Sequence, residues 1–156
     1  MEGLYAAFDS YATNLVSGYT NELQDVFVRD LQAGTTERVS VATNGTEGNN
    51  ISYFPSISAD GRYVAFVSRA ANLVVGDTNG FSDVFVHDRQ TGATSRVNVS
   101  STGIEGDNDS HLPSISGDGR YVAFASAASN LVVGDGYSWD IFVHDRQTGS
   151  TERVSV

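Results

Sequence analysis

The feature that most constrains this chain is a repeat. Residues 55–66 read Pro-Ser-Ile-Ser-Ala-Asp-Gly-Arg-Tyr-Val-Ala-Phe, and the run returns 58 residues later at 113–124 with only Ala59 exchanged, for Gly117. Ser-Ile-Ser is short and alternating, Asp-Gly is a strong hairpin dipeptide, and Tyr-Val-Ala-Phe is rich in strand formers. In such a turn Asp bonds the backbone ahead of it and Gly supplies the positive φ. A repeat of this length made only of strands points to a propeller blade.

Two further signatures recur. Asp83-Val84-Phe85-Val86-His87-Asp88 matches the run from Asp25 to Asp30 and the run from Asp140 to Asp145. Arg96-Val97-Asn98-Val99 matches Arg38 to Val41 and Arg153 to Val156. Tyr5-Ala6-Ala7-Phe8 opens the first copy with no Pro-Ser-Ile-Ser ahead of it, and the third copy is one residue short before Asp140. A full copy therefore holds four strands: A (Ser-Ile-Ser), B (Tyr-Val-Ala-Phe), C (Asp-Val-Phe-Val-His-Asp) and D (Ser-Arg-Val-Asn-Val). The expected fold is all-β, about eleven strands in three four-stranded antiparallel propeller blades, the first lacking its inner strand. Blade boundaries fall at 1–42, 43–100 and 101–156 of a single propeller segment. Strand B is nearly continuously apolar, which suits a sheet packed on both faces.

Strand parity places the loops. In an antiparallel meander the B–C and D–A connections share one end of the sheet, and the A–B and C–D connections share the other. The second set is tight, Asp60-Gly61 and Arg89 to Gly92; the first is long, Arg69 to Ser82 and Ser100 to Leu112. Long loops on a rigid scaffold are where binding is usually placed.

The pattern Pro-x-apolar-Ser-x-Asp-Gly-x-x-apolar-Ala-Phe, followed by Asp-apolar-Phe-Val-x-Asp and a Gly turn, resembles the TolB-like, WD-repeat-like β-propeller repeat. The resemblance spans all three copies, with the first keeping only the end of the Pro-to-Phe run. It implies blades of a six-bladed ring, a periplasmic or secreted bacterial setting, and a role as an interaction platform, sometimes beside a hydrolase domain. The copies here are longer than that repeat usually is, and the excess lies in the long loops.

A formal charge of −10, with nine basic residues against nineteen acidic, argues against nucleic acid and anionic membrane surfaces and leaves cations as natural partners. Cysteine is absent, so there is neither a disulfide framework nor thiolate chemistry. Residues 1–5 show no signal peptide, and no apolar run is long enough to insert as a membrane helix.

The sharpest candidate for chemistry is the loop from Gly76 to Asp83. Asp77, Asn79 and Asp83 place oxygen side chains at its second, fourth and eighth positions, as a calcium loop does, because a hard cation wants several close oxygens on a tight turn. The alternative is an Asx-turn loop whose Asp and Asn satisfy backbone donors. The first copy has Tyr19 in place of Asp77, and the third keeps Asp135 and Asp140 without the Asn, as a weaker candidate. Glu105, Asp107 and Asp109 form an acidic cluster in the D–A loop at the same end, either a ligand-binding face or a solvated loop. Trp139 is expected either to stack on a sugar or peptide or to lie buried at a blade edge. His87 and His144 share one repeat position, which favours a structural role over a catalytic one.

The expected function is a non-enzymatic binding or assembly module, its ligand or protein partner on the acidic long-loop face, with calcium as a stabilising ion. Alternatives are a carbohydrate-binding lectin and, less favoured, a glycan-processing enzyme; no Gly-x-Ser-x-Gly or His-Glu-x-x-His supports hydrolysis. Three blades do not close a ring, since propellers carry about four to eight. Self-association into a two-fold dimer completing six blades is therefore expected, covering faces where Tyr5, Phe8, Phe124 and Phe142 are expected to lie.

Overall fold

The computed structural model describes residues 4–18 and 20–155. Its described residues form eleven strands and no helix. The first sheet holds β1 (Tyr5–Ser10), β2 (Asp25–Asp30) and β3 (Thr35–Arg38). The second holds β4 (Ser52–Ile57), β5 (Tyr63–Ser68), β6 (Asp83–Asp88) and β7 (Ala93–Arg96). The third holds β8 (Ser110–Ile115), β9 (Tyr121–Ser126), β10 (Asp140–Asp145) and β11 (Ser150–Arg153). Each is an antiparallel meander in chain order, so the repeat's three blades are present and the first has three strands. No described helix is long and apolar enough to cross a membrane.

The registers repeat with the sequence. Phe8 pairs with Phe27, Phe66 with Phe85 and Phe124 with Phe142, with ring centroids 5.8, 5.9 and 5.9 Å apart. The hairpin turn is built as its residues dictate: Ser58 Oγ and the Arg62 N–H both donate to Asp60 Oδ1, and Gly61 takes a φ of +74°. Strand A is longer than Ser-Ile-Ser suggests. It begins at Ser52 and Ser110 and shifts register between Tyr53 and Ser56, and between His111 and Ser114. The shift brackets Pro55 and Pro113, which have no N–H to give the ladder, so the strand bulges around them. Phe54 and Leu112 absorb the bulge with φ of 54° and 53°.

The cores lie between sheets. Val26, Val28 and Val39 of the first blade meet Val64, Phe66, Phe85 and Leu73 of the second. Ala65, Val67, Val84, Val86 and Val97 of the second meet Val122, Phe124, Phe142 and Leu131 of the third. Each blade thus offers a small, β-branched face downstream and an aromatic face upstream. The middle blade, covered on both sides, has its strands β5 and β6 buried almost throughout, whereas β9 alternates buried and accessible. Phe124 and Phe142 are buried against the second blade, and Tyr5 packs against the core between the first and second blades, which corrects the expectation that these three line a free face. Strand C is apolar on both sides, so its alternation does not say which side meets which neighbour.

A second inter-blade contact is made at the tight-turn end. The Tyr63 ring lies under Gly119 of the next blade, where an added Cβ would overlap it, and Tyr5 lies likewise under Gly61. Gly119→Ala should therefore cost about 3 kcal/mol, combining ring overlap with a positive φ of +73°. Gly92→Ala, at a φ of +76° in open space, should cost about 1 kcal/mol. Thermal melts of both variants check this, and equal losses would contradict the close packing at Tyr63.

Candidate functional site

The residues singled out for calcium do converge, but on a cation the chain supplies itself. Arg96, at the end of β7, places Nη1 3.3 Å from Asp77 Oδ1, 3.1 Å from Asp83 Oδ2 and 2.7 Å from Glu105 Oε2. Asn79 turns its amide N–H toward Asp83 Oδ1 (3.0 Å) and the Gly106 carbonyl (2.9 Å), while its oxygen accepts from the Phe81 N–H. Asn98 also donates to Asp83. A guanidinium thus stands where the metal was expected, and Asn79 caps the loop, which is the Asx-turn reading. No cluster of three or more acidic, His or Cys groups among the described residues is arranged to hold a metal.

The arrangement recurs with losses. Arg38 reaches Glu47 at 2.7 Å and Asp25 at 3.7 Å in the first blade; Tyr19, in the place of Asp77, lies outside the described residues. In the third blade Arg153 holds Asp135 at 2.8 Å but Asp140 only at 3.9 Å, and Ser138 and Ser155 hydroxyls donate to Asp140 instead. Glu47 and Glu105 come from the loop leading into the following blade, so Arg38 and Arg96 each tie two blades together, while Arg153 stays within its own.

The acidic loop is occupied by internal bonds as well. Asp107 accepts from the Ser129 N–H and Oγ, both at 2.7 Å, and Asp109 accepts from the Ser82 N–H at 2.8 Å. Glu105 takes the Thr78 hydroxyl at 2.5 Å in addition to Arg96. These carboxylates clamp B–C loops to D–A loops. His87 and His144 place Nδ1 2.8 and 2.9 Å from the Thr94 and Thr151 hydroxyls, and burial pulls both pKa values down, so they are buried structural groups. Arg62 and Arg120 each fork onto a carboxylate, Asp88 and Asp145, and hold it well below the usual carboxylate range.

Besides apolar residues in the loops, such as Val75 and Val133, apolar side chains are accessible on the downstream face of the third blade. Val84, Ser82 and Val97 are buried beneath that blade, but their equivalents Ile141, Trp139 and Val154 are exposed by 43%, 57% and 50%. The Trp139 indole stacks on the His111 ring at 5.5 Å, and His111 in turn lies 6.3 Å from Tyr53. Tyr63 is covered by Arg146 from the next blade at 4.4 Å, and Tyr5 by Arg89 at 4.6 Å. The equivalent Tyr121 has only its neighbour Arg120 over its ring among the described residues, and is exposed. Sequence reasoning missed this clip, although Tyr-Gly-Arg recurs at matching positions. At the long-loop end, a hollow of about 560 Å³ lined by Ser101, Thr102, Asn130 and Val133 is repeated beside Thr43, Asn72 and Val75 at about 310 Å³.

Three meander sheets packed face to face through alternating small and aromatic faces define a β-propeller segment. Solved structures of similar fold include TolB and other β-propeller proteins. TolB from Acinetobacter baumannii superposes with a TM-score of 0.58 at 22% identity, over 97% of this chain and 29% of that one. The putative TolB from Agrobacterium tumefaciens gives 0.58 at 18% identity, over 97% and 45%. The β-propeller domain of the Trilobed protease from Pyrococcus furiosus, which has an open velcro topology, gives 0.59 at 16% identity, over 98% and 40%. The chain spans less than half the length of each, and at these identities the likeness is one of fold. No protein-family model and no curated protein matches the sequence.

The charge cluster makes a testable demand. Three carboxylates share one guanidinium, and Asp77 is pushed up to about 6, by burial first and then by the Asp83 charge, against the pull of Arg96. Because the folded pKa lies above the ordinary 3.8, stability from this group is fully present below that value and declines as pH rises through 6. Asp77→Asn should therefore raise the Tm at pH 7.5 by a few degrees, roughly 2 kcal/mol, with the gain shrinking by pH 4.5. Millimolar calcium should leave the wild-type Tm unchanged. A calcium-dependent rise that Asp77→Asn abolishes would restore the metal to this loop.

Proposed function

We propose that this chain is a non-catalytic propeller module that works by docking, taking a further β-blade onto the downstream face of its third blade. The observation that carries this reading is the contrast between equivalent residues: Val84, Ser82 and Val97 are sealed by a neighbour, while Ile141, Trp139 and Val154 present the same surface uncovered. Exposed apolar surface of this kind usually marks an interaction site. The acidic loops, spent on internal clamps, act as the mortar of the module. A role without catalysis is supported by the two repeat histidines, whose Nδ1 atoms are bound to threonine hydroxyls. The likeness to TolB propellers supports a periplasmic or extracellular setting for such a module.

The paired hollows beside Thr43 and Thr102 support a second reading, a lectin with one carbohydrate site per blade. A glycan array separates the two: binding lost in a Val75→Asp, Val133→Asp double variant would favour the lectin.

The docking reading is tested by extending the chain at Val156 with a further copy of residues 42–99, the middle blade in register and without tryptophan. The added blade should cover Trp139, the one tryptophan of the chain, shifting its emission to the blue and raising the Tm. An extension that folds but leaves Trp139 as accessible to iodide as before would overturn it.

A further inference from the structure

Resting on that docking reading, we infer that the blade received is the first blade of a second copy of this chain, in a head-to-tail pair with two such junctions. The two end faces of the chain carry the residue patterns of the two halves of an interface it already makes twice. Downstream, the third blade carries Ala123, Ala125, Ile141 and Val143, the equivalents of Ala65, Val67, Val84 and Val86 in the second blade's core-forming face. Upstream, the first blade carries the half-buried Phe8 and Leu15, with Phe27 buried behind them, at the positions of Phe66, Leu73 and Phe85, which fill the opposite half of such a core. Small and β-branched on one face, aromatic on the other, the two end faces repeat the residue pattern that meets at both internal junctions.

Departures from the repeat fall at the same junction and suit it. At internal junctions an arginine of the downstream blade covers the tyrosine of the upstream one, Arg89 over Tyr5 and Arg146 over Tyr63. In the first blade that position is Leu31, which is 59% exposed, and its counterpart across the junction is the exposed Tyr121. An apolar contact there replaces a cation–π contact, which suits an interface that must form between separate chains without ordering a long arginine. Trp139 stands at the position of Ser82 and Gln24, whose carbonyls accept from Ser110 and Ser52 at the start of the next blade's inner strand. Among the described residues the first blade's sheet has no inner strand, and the indole brings apolar bulk to that place. Repeating a heterologous contact closes a ring only if its rotation divides the circle. Two chains give six blades, within the propeller range of about four to eight.

Sedimentation or light scattering at micromolar concentration should give twice the chain mass of 16.6 kDa, with Trp139 emission moving to the blue as the dimer fills. Ile141→Glu, at an accessible position, should return a monomer that still melts cooperatively. Since the chain has no cysteine, Tyr121→Cys and Leu31→Cys single variants can be mixed with a short bismaleimide. Cross-linking should appear in the mixture and in neither variant alone. A monomer, an open ladder of oligomers, or cross-linking of Tyr121→Cys with itself would each overturn the head-to-tail dimer. A monomeric wild type whose Trp139 is nonetheless covered in the extended chain would remove the second copy as occupant and leave the docking reading standing. If the added blade also fails to cover Trp139, both fall.

Discussion

The contact on which the rest of this structure depends is the meeting of a small, β-branched sheet face with an aromatic one. The larger apolar clusters lie between blades. Phe85 is buried against Val26, Val28 and Val39 of the blade before its own, and Phe142 likewise against Val84, Val86 and Val97. Burying each such ring contributes roughly 2–3 kcal/mol relative to exposure, and at these two positions the burial is made at a junction. The unit of stability is therefore the junction between blades. Both the middle blade's full burial and the accessible face of the third follow from that.

Around these apolar junctions the polar groups are arranged to neutralise one another. A net charge of −10 on a small chain is a source of self-repulsion. The strand-D arginines, Arg38, Arg96 and Arg153, absorb part of it by gathering carboxylates from the long loops. Because Glu47 and Glu105 come from the loop entering the next blade, the clusters also set the spacing between sheets at the long-loop end. At the opposite end the same spacing is set by Tyr5 and Tyr63 under the glycine turns, each clipped by an arginine of the following blade. The aromatic core lies between these two sets of ties.

Much of this was legible before any coordinates. The Asp-Gly turn, the strand count, the missing inner strand and the gathering of long loops at one end all rest on local chemistry and strand parity, and all are present. The site was less legible, for physical reasons. Asp77, Asn79 and Asp83 lie within one loop, and a local reading of their oxygens calls for an external cation; the guanidinium that answers them arrives from β7, and the third carboxylate from a different loop. The recurrence of arginine at 38, 96 and 153 was the available signal. The orientation of Phe124 and Phe142 was hidden because strand C is apolar on both sides. Trp139 could not be placed inside or outside from its own loop, since its surroundings, the His111 ring among them, come from a different strand.

The central claim, that stability resides in the junctions between blades, is tested most directly by amide hydrogen exchange on a dilute sample. Strands β5 and β6, sealed on both faces, should be the slowest to exchange, with β9 and β10 faster by an order of magnitude or more. Equal protection of β6 and β10 in a sample shown to be monomeric would contradict it, because the third blade would then be stable without a cover on its downstream face.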